Sequence, residues 1–380
     1  MSMSPIYFDY QATTPIDPNV RSAMEPYWNE HFGNPHMVDN LYGTKAAEAI
    51  RYARSEVANL INADDGEIVF TSGATESCNL ALRGIVANNK HSQRSRIITV
   101  VTEHPAVFET ANQLSNSDLE TIILPVGVTG HLDLEQFESV LDEQTLIVSV
   151  MVANNEIGTL HPIAEIAKRC RDVGALFHTD ASQAVGRIPI DVEALGVDLL
   201  SFSAHKMYGP KGVGALFIRT GVNLLPLFTG GEQEQGMRAG TLPTPNIVGF
   251  GAACNISLQN MEEDRQRIEY LTTWLYDDLK ELYPNLHLFG DSAHRLPGNL
   301  SIGFPGVSSE QVVSYLFDKI AVATGSACSS EKTQPSRVLL ALGLDPETAS
   351  TALRLSLGRF STESEVNKAL TIFKSMKAGK

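Results

Sequence analysis

The sequence predicts an α/β protein, with a large domain on a mostly parallel sheet and a smaller α+β domain after it. Three observations carry this. Between Glu67 and Ile218, short continuous apolar runs alternate with amphipathic helical stretches, the pattern of strands covered by helices on both faces. Polar residues gather just beyond those runs, where open parallel sheets bind ligands. After Gly249 the alternation gives way to one long helical period and a few isolated strands. The boundaries read as 16–250 for the large domain, and 1–15 with 251–380 for the small one.

Taken in order, Tyr7-Phe8 is a short apolar piece running into a polar turn at Asp9 to Pro15, and Phe32-Gly33-Asn34-Pro35 is a turn signal. Ala46, Ile50, Ala53, Val57, Leu60 and Ile61 recur at helical spacing and predict a helix over 44–61. Strands are expected at 68–71, 97–101, 121–124, 146–151, 176–179, 199–203 and 215–218. Ser72-Gly73-Ala74-Thr75 opens a helix. Asp133 caps a helix over 133–141, and Pro162 opens one that Gly174 ends. Beyond the alternating region, Ile268, Leu271, Leu275, Leu279 and Leu282 predict a helix over 261–282. Strands are expected at 299–304, 320–323 and 352–357. Ser308 caps a helix through Phe317, and Thr362 to Glu365 is a capping box for the last helix.

A net charge of −15 excludes a phosphate-backbone binder, so no nucleic-acid partner is expected. No apolar run approaches the roughly 20 residues that span a bilayer, so no membrane partner is expected either. Met1 to Pro5 shows no basic-then-apolar signal segment. The four cysteines are far apart and form no C-x-x-C pair, which suits neither a disulfide framework nor a zinc site. A reducing cytoplasm is the expected compartment. Cys170 sits on the apolar face of its helix, and Cys78 and Cys254 lie in apolar or helical context, so these three read as core. Cys328 alone falls in a small, polar stretch where a thiolate could be exposed.

The polar residues at strand ends are Thr75, His104, Asn155, Asp180 with Gln183, and Ser203-Ala204-His205-Lys206. Singly each has an ordinary reading: His104 as a capping or surface histidine, Asp180 as a helix N-cap, Asn155 as a turn residue, Lys206 as a surface lysine. Together they match what pyridoxal phosphate requires. That cofactor needs a lysine amine for a Schiff base and an acid for its pyridine nitrogen. Its phosphate suits the N–H groups at a helix start, here Gly73, Ala74 and Thr75. His104 could plate the ring, and Gln183 or Asn155 could serve its phenolic oxygen.

Asp180-Ala181-Ser182-Gln183 with Ser203 to Pro210 resembles the signature of the cysteine desulfurases, the NifS/IscS type of the class V aminotransferase family. Further blocks that resemble the family are Asp9 to Pro15, Phe32 to Pro35, Thr71 to Ser77, Asn154 to Gly158, Gly230 to Thr241 and Arg354 to Arg359. The resemblance covers nearly the whole chain. It implies the pyridoxal-phosphate fold type I with a seven-stranded sheet, a homodimer, and conversion of L-cysteine to L-alanine through a ketimine and a persulfide on Cys328. Lys206 would be the Schiff-base lysine, Asp180 the partner of the pyridine nitrogen, and His104 would stack on the ring and move protons. Gln183 and Asn155 would hold the phenolic oxygen. Ala74, Thr75, Ser203 and His205 would hold the phosphate, with Thr241 from the second subunit. Asn34, Asn155 and Arg354 would bind substrate. Residues 323–335 resemble the active-site cysteine loop, which would pass sulfur to an iron–sulfur scaffold or another acceptor protein. No resident metal is implied, although Cys328 could touch a cluster transiently.

The chain departs from the family at His36 to Gly43, where two small residues and a histidine usually follow the turn, and at the charged Glu331 to Gln334. Substrate preference and the sulfur acceptor therefore stay open. The competing readings are a selenocysteine lyase, another class V lyase or aminotransferase, and a catalytically silent scaffold.

Overall fold

The structure is a computed structural model that describes residues 5–89, 94–324 and 335–378. In chain order the strands are β1 (Ile6–Tyr7), β2 (Ile68–Thr71), β3 (Arg96–Val100), β4 (Glu120–Leu124), β5 (Thr145–Ser149), β6 (Leu176–Asp180) and β7 (Leu199–Ser203). They continue with β8 (Gly214–Ile218), β9 (His287–Leu288), β10 (Asn299–Gly303), β11 (Ile320–Ala321), β12 (Ala323–Thr324) and β13 (Ala352–Ser356).

The apolar runs between Ile68 and Ile218 assemble one seven-stranded sheet in the order β2-β8-β7-β6-β5-β3-β4. Neighbours from β7 to β4 pair in parallel, while β8 runs antiparallel to both β2 and β7. Strands β2, β5 and β7 are buried along their full length, as expected where helices cover both faces. The expected α/β class with a mostly parallel sheet of seven strands is what the chain forms.

A second sheet, β12-β13-β10-β9, is antiparallel. It packs on the helices Thr244–Leu282 and Glu363–Ala378 around Phe8, Leu271, Leu275, Leu353 and Phe373. The start of the chain belongs to this body: β1 pairs in parallel with β11, and Asp9 bridges to Ser356. The capping box at Thr362 forms as expected, with Thr362 and Glu365 each accepting from the other's backbone amide.

Two expectations need correction. The helix expected over 261–282 begins at Thr244 and runs unbroken to Leu282. Gly249 and Gly251 look like breakers in the sequence, but here they are points of close approach. A Cβ on Gly251 would meet Ala53 Cα at 2.6 Å, and one on Gly249 would meet Met24 Sδ at 2.6 Å. Burial against the helix Leu41–Ile61 outweighs glycine's weak helix propensity. The strand expected over 320–323 is two pieces, β11 and β12, which belong to different sheets. A smaller shift occurs at the second helix boundary, which moves from 44 to Leu41 because Asn40 Oδ1 accepts from Gly43 N at 3.1 Å.

The packing generates two predictions. Gly251→Ala forces the helix Thr244–Leu282 off Ala53, so it destabilises by about 1–3 kcal/mol, although alanine is the better helix former. Urea unfolding measures this, and a stabilised variant would refute the close-approach reading. The second prediction concerns His178 in β6. It is fully buried between Ser149 Oγ at 2.8 Å and Ser201 Oγ at 2.9 Å, and burial pushes it down to about 4. An unfolded chain carries this histidine near 6.5 and binds more protons below that pH, so the fold loses stability as pH falls from 6.5 toward 4. Between pH 7 and pH 5 the wild type should therefore lose more unfolding free energy than His178→Gln. Equal losses would show that His178 carries no such linkage.

Candidate functional site

Strands β2, β3, β5, β6 and β7 end on the same side of the central sheet, and their trailing residues line one cleft of about 610 Å³. Asp9, Gln11, Ala12 and Thr13 of the N-terminal segment close one side of it, and Ala323 and Arg354 of the second sheet close another. The structure brings together Ala74, Thr75, His104, Asn155, Asp180, Gln183, Ser203, His205, Lys206 and Arg354 in this lining. Asn34 and Thr241 are exposed and lie outside it. Cys328 lies outside the described residues.

Lys206 follows β7 in a single helical turn, Ala204–Lys206. Its Nζ donates to the main-chain oxygens of Gln11 at 2.6 Å and Ala12 at 2.9 Å. Asp180 closes β6 and is buried. Ser182 donates to its Oδ1 from both the amide (2.9 Å) and the hydroxyl (2.5 Å). Oδ2 is left for a donor in the cleft.

His104 caps the helix Pro105–Leu114, with Nδ1 accepting from Ala106 N at 3.2 Å. The capping reading thus holds, and the same ring lines the cleft. An Nδ1 that accepts carries no proton, so the neutral ring holds its proton on Nε2. Burial lowers this histidine's pKa, and the nearby Asp180 charge opposes that. His205 is pushed down to about 4, first by burial and then by the charges of Lys206 and Lys211. Its Nδ1 lies 3.1 Å from Thr13 Oγ1.

An anion cup forms where the helix Ala74–Asn88 begins. Gly73 has φ 149° and ψ 175°, a conformation open only to glycine. Beside it, a Cβ on Gly214 would meet Gly73 Cα at 2.7 Å, so two glycines let the helix start settle against β8. The free amides of that first turn then face the cleft with Ser203 and His205 nearby. This donor set, with the buried Asp180 carboxylate and the Lys206 amine in one cleft, fits pyridoxal phosphate.

Arg354, on β13, is buried. Its guanidinium donates to Asp9 Oδ1 at 2.7 Å and Asn155 O at 2.6 Å, and its Nε has no partner among the described residues. Gln183 donates Nε2 to Gln11 O at 3.1 Å.

Sequence reasoning missed Gln11 as a site residue, although it lies in a block singled out for resemblance. It is fully buried and its main-chain oxygen receives both Lys206 and Gln183. It also missed the half-buried Arg187, which donates to Tyr10 O at 2.6 Å and Lys206 O at 3.4 Å. Neither residue sits at a strand end, so the search along strand ends could not find them.

Comparisons with known proteins agree with this geometry. The family model for aminotransferase class V matches residues 6–369. The chain is 47% identical over 370 residues to cysteine desulfurase IscS of Rickettsia rickettsii (strain Iowa), covering 97% of this chain and 90% of that relative. A solved NifS-like protein superposes with a TM-score of 0.93 at 36% identity, over the whole of both chains. A structure described as SspA in complex with cysteine superposes with a TM-score of 0.82 at 32% identity, over 94% of this chain and all of that one. The chain belongs to the pyridoxal-phosphate-dependent class V aminotransferase family, on its cysteine desulfurase branch.

Proposed function

We propose that this protein is a cysteine desulfurase that converts L-cysteine to L-alanine and keeps the sulfur as a persulfide on Cys328. The observation that carries the reading is the meeting of Lys206, Asp180, His104 and the glycine-shaped anion cup in one cleft. When bound, pyridoxal phosphate supplies an electrophilic carbonyl for the substrate amine and a sink for electrons released at the α-carbon.

The remaining roles belong to this chain's residues. The amides of Gly73, Ala74 and Thr75, with Ser203 and His205, hold the phosphate. Asp180 accepts a hydrogen bond from the pyridine nitrogen, and Gln183 and Asn155 serve the phenolic oxygen. His104 covers the ring and relays a proton at Nε2. Lys206 takes the substrate α-proton once its amine is released. Arg354, with Asn155 and Asn34, orients the substrate carboxylate. The Cys328 thiolate attacks the substrate sulfur. The sulfur–sulfur bond forms as the carbon–sulfur bond breaks, and that electron pair stays with the carbon that becomes the methyl group of alanine.

The working unit in this reading is a homodimer in the cytoplasm. Thr241 is exposed on its own chain, which suits a residue given to a partner's phosphate site. Trp28, Phe32, Met37, Leu41 and Tyr42 are exposed around Asn34, which supports a covered surface there. The division into 16–250, against 1–15 with 251–380, is supported by the separate cores of the central and second sheets, although its boundary falls within the helix Thr244–Leu282, whose Cys254 and Met261 pack in the central core. A sulfur acceptor, such as an iron–sulfur scaffold protein, collects the persulfide.

The decisive test adds L-cysteine to the purified protein and measures alanine and protein-bound persulfide. Cys328→Ser should lose both products while the visible cofactor absorbance persists, and Lys206→Ala should lose that absorbance band. Full activity in Cys328→Ser would overturn the persulfide route and favour another class V lyase. A colourless protein that takes up no cofactor would favour a silent scaffold. Arg354→Lys keeps the charge but loses the two-pronged grip, so kcat/KM should fall by about 10–100-fold, from the loss of about 1.5–3 kcal/mol of charged hydrogen bonding. An unchanged kcat/KM would remove Arg354 from substrate binding.

A further inference from the structure

Away from the cleft, His131, Asp291 and His294 bring their ligand-type atoms within 4.8 Å of one another. Asp291 Oδ1 is fixed by the amides of Ala293 (2.6 Å) and His294 (3.1 Å). Its Oδ2 therefore points away from that turn, and two imidazole nitrogens converge on it: His131 Nε2 at 2.6 Å and His294 Nδ1 at 3.3 Å.

His131 comes from one part of the chain and Asp291 with His294 from another, and the two parts are held rigidly together. Gly130 and Gly290, each at positive φ, press on Ile157 and Thr159 so closely that a Cβ on either would fall within 3.0 Å of Ile157. Thr159 Oγ1 donates to Thr129 O at 2.7 Å and accepts from Asp291 N at 3.1 Å. This packing fixes His131, beside Gly130, against Asp291, beside Gly290.

His161 is a second, independent observation. It is only 6% exposed, and neither ring nitrogen has a hydrogen-bond partner among the described residues. Its ring lies T-shaped against that of His131, with centroids 6.1 Å apart. A buried imidazole without a partner forfeits about 1–3 kcal/mol of hydrogen bonding, and a shared ligand beside it would recover that.

We propose that His131, Asp291 and His294 form a zinc site whose fourth ligand is a water, and that this water gives His161 its missing hydrogen bond. Two imidazoles and a carboxylate suit Zn²⁺ with a water in the fourth position, and the same triad with more open positions suits Fe²⁺. Zinc bonds of about 2.0–2.1 Å in a tetrahedron place donor atoms about 3.4 Å apart. The His294–Asp291 spacing already matches this, and the His131–Asp291 spacing has to open slightly. Zinc takes the place of the protons that face Asp291 Oδ2, and each moves to the far nitrogen of its own ring, Nδ1 of His131 and Nε2 of His294, so none is lost. His294, whose side chain is 75% exposed, leaves an entry path. The ion would staple the loop carrying His131 to the turn at Asp291, next to Ile157-Gly158-Thr159. That stretch continues directly from Asn155 in the cleft.

The test uses holoenzyme stripped with a chelator and titrated with ZnCl₂ alone by calorimetry, in a Cys328→Ser background that removes the candidate thiolate ligand. We expect one saturable equivalent per chain and a rise in Tm with zinc. Binding should weaken by about 10–100-fold or more in Asp291→Asn and in His294→Ala, as it does when a ligand or its support is lost. His294→Ala alters an exposed side chain, so its fold is safe even if Asp291→Asn unfolds. No saturable uptake, or the same uptake in wild type and His294→Ala, would overturn the proposal.

Discussion

Everything in the cleft depends on how the chain's first polar turn is clasped between its two sheets. Gln11 is fully buried, and its amide, its side-chain oxygen and its main-chain oxygen reach different parts of the molecule. Its amide donates to Ser356 Oγ at 2.9 Å on β13, and its side-chain Oε1 accepts from Asn299 Nδ2 at 2.6 Å on β10. Its main-chain oxygen accepts from Lys206 and Gln183, which belong to the central sheet. One residue thus sets the distance between the second sheet and the end of β7. Asp17 and Thr14 continue the clasp: Asp17 N donates to Tyr208 O, Tyr208 N donates to Thr14 Oγ1, and Thr14 N donates to His205 O. Buried backbone groups satisfied in this way are costly to part, so the Lys206 amine is held in place before any ligand arrives. The two carbonyls accept from the amine and so orient its protons.

Electrostatics then divide the buried acids into two kinds. Glu103, adjacent to His104, is buried and raised well above the usual carboxylate range, first by desolvation and then by the charge of Asp180. Its Oε1 accepts from Met151 N at 2.6 Å. Cys78 is raised for the same two reasons, so this cysteine under the sheet is an inert thiol. Glu156, next to Asn155, is pushed up to about 7 by burial, against the opposing hydrogen bond from Ser336 Oγ at 2.5 Å. Asp180 is the acid placed where a pyridine nitrogen would need one. Glu103 and Glu156 instead tie loops together through Met151 N and Ser336 Oγ.

Much of this was legible in the sequence, for a physical reason. Strands buried on both faces read as unbroken apolar runs, so the ends of β5, β6 and β7 marked themselves, and with them Asn155, Asp180 and Lys206. What stayed hidden depended on contacts between distant segments. The helix Thr244–Leu282 looked interrupted because Gly249 and Gly251 resemble breakers until Met24 and Ala53 are seen against them. The region 320–323 looked like one strand because nothing local shows that its halves pair with β1 and β13. His104 had two readings, and the ring that caps its helix through Nδ1 also lines the cleft. The cluster at His131, Asp291 and His294 left no spacing signal, since its members are 160 and 3 residues apart in sequence.

Arg354 shows how the clasp and the chemistry are coupled. A buried arginine must be paired, because an uncompensated guanidinium in that position would cost several kcal/mol. Here Asp9 supplies the opposite charge and Asn155 O a second acceptor. Asp9 is itself raised by burial, and Arg354 pulls it back down. The pair is thus mutually dependent, and it joins β13 to the N-terminal turn that holds Lys206. A substrate carboxylate entering the cleft offers Arg354 a second anion, and the unpartnered Nε leaves a donor to receive it. Binding at that position draws on the guanidinium that ties Asp9 to Asn155, so it is felt at both. The arginine proposed to take the substrate carboxylate is the same one that fastens the second sheet to the N-terminal clasp.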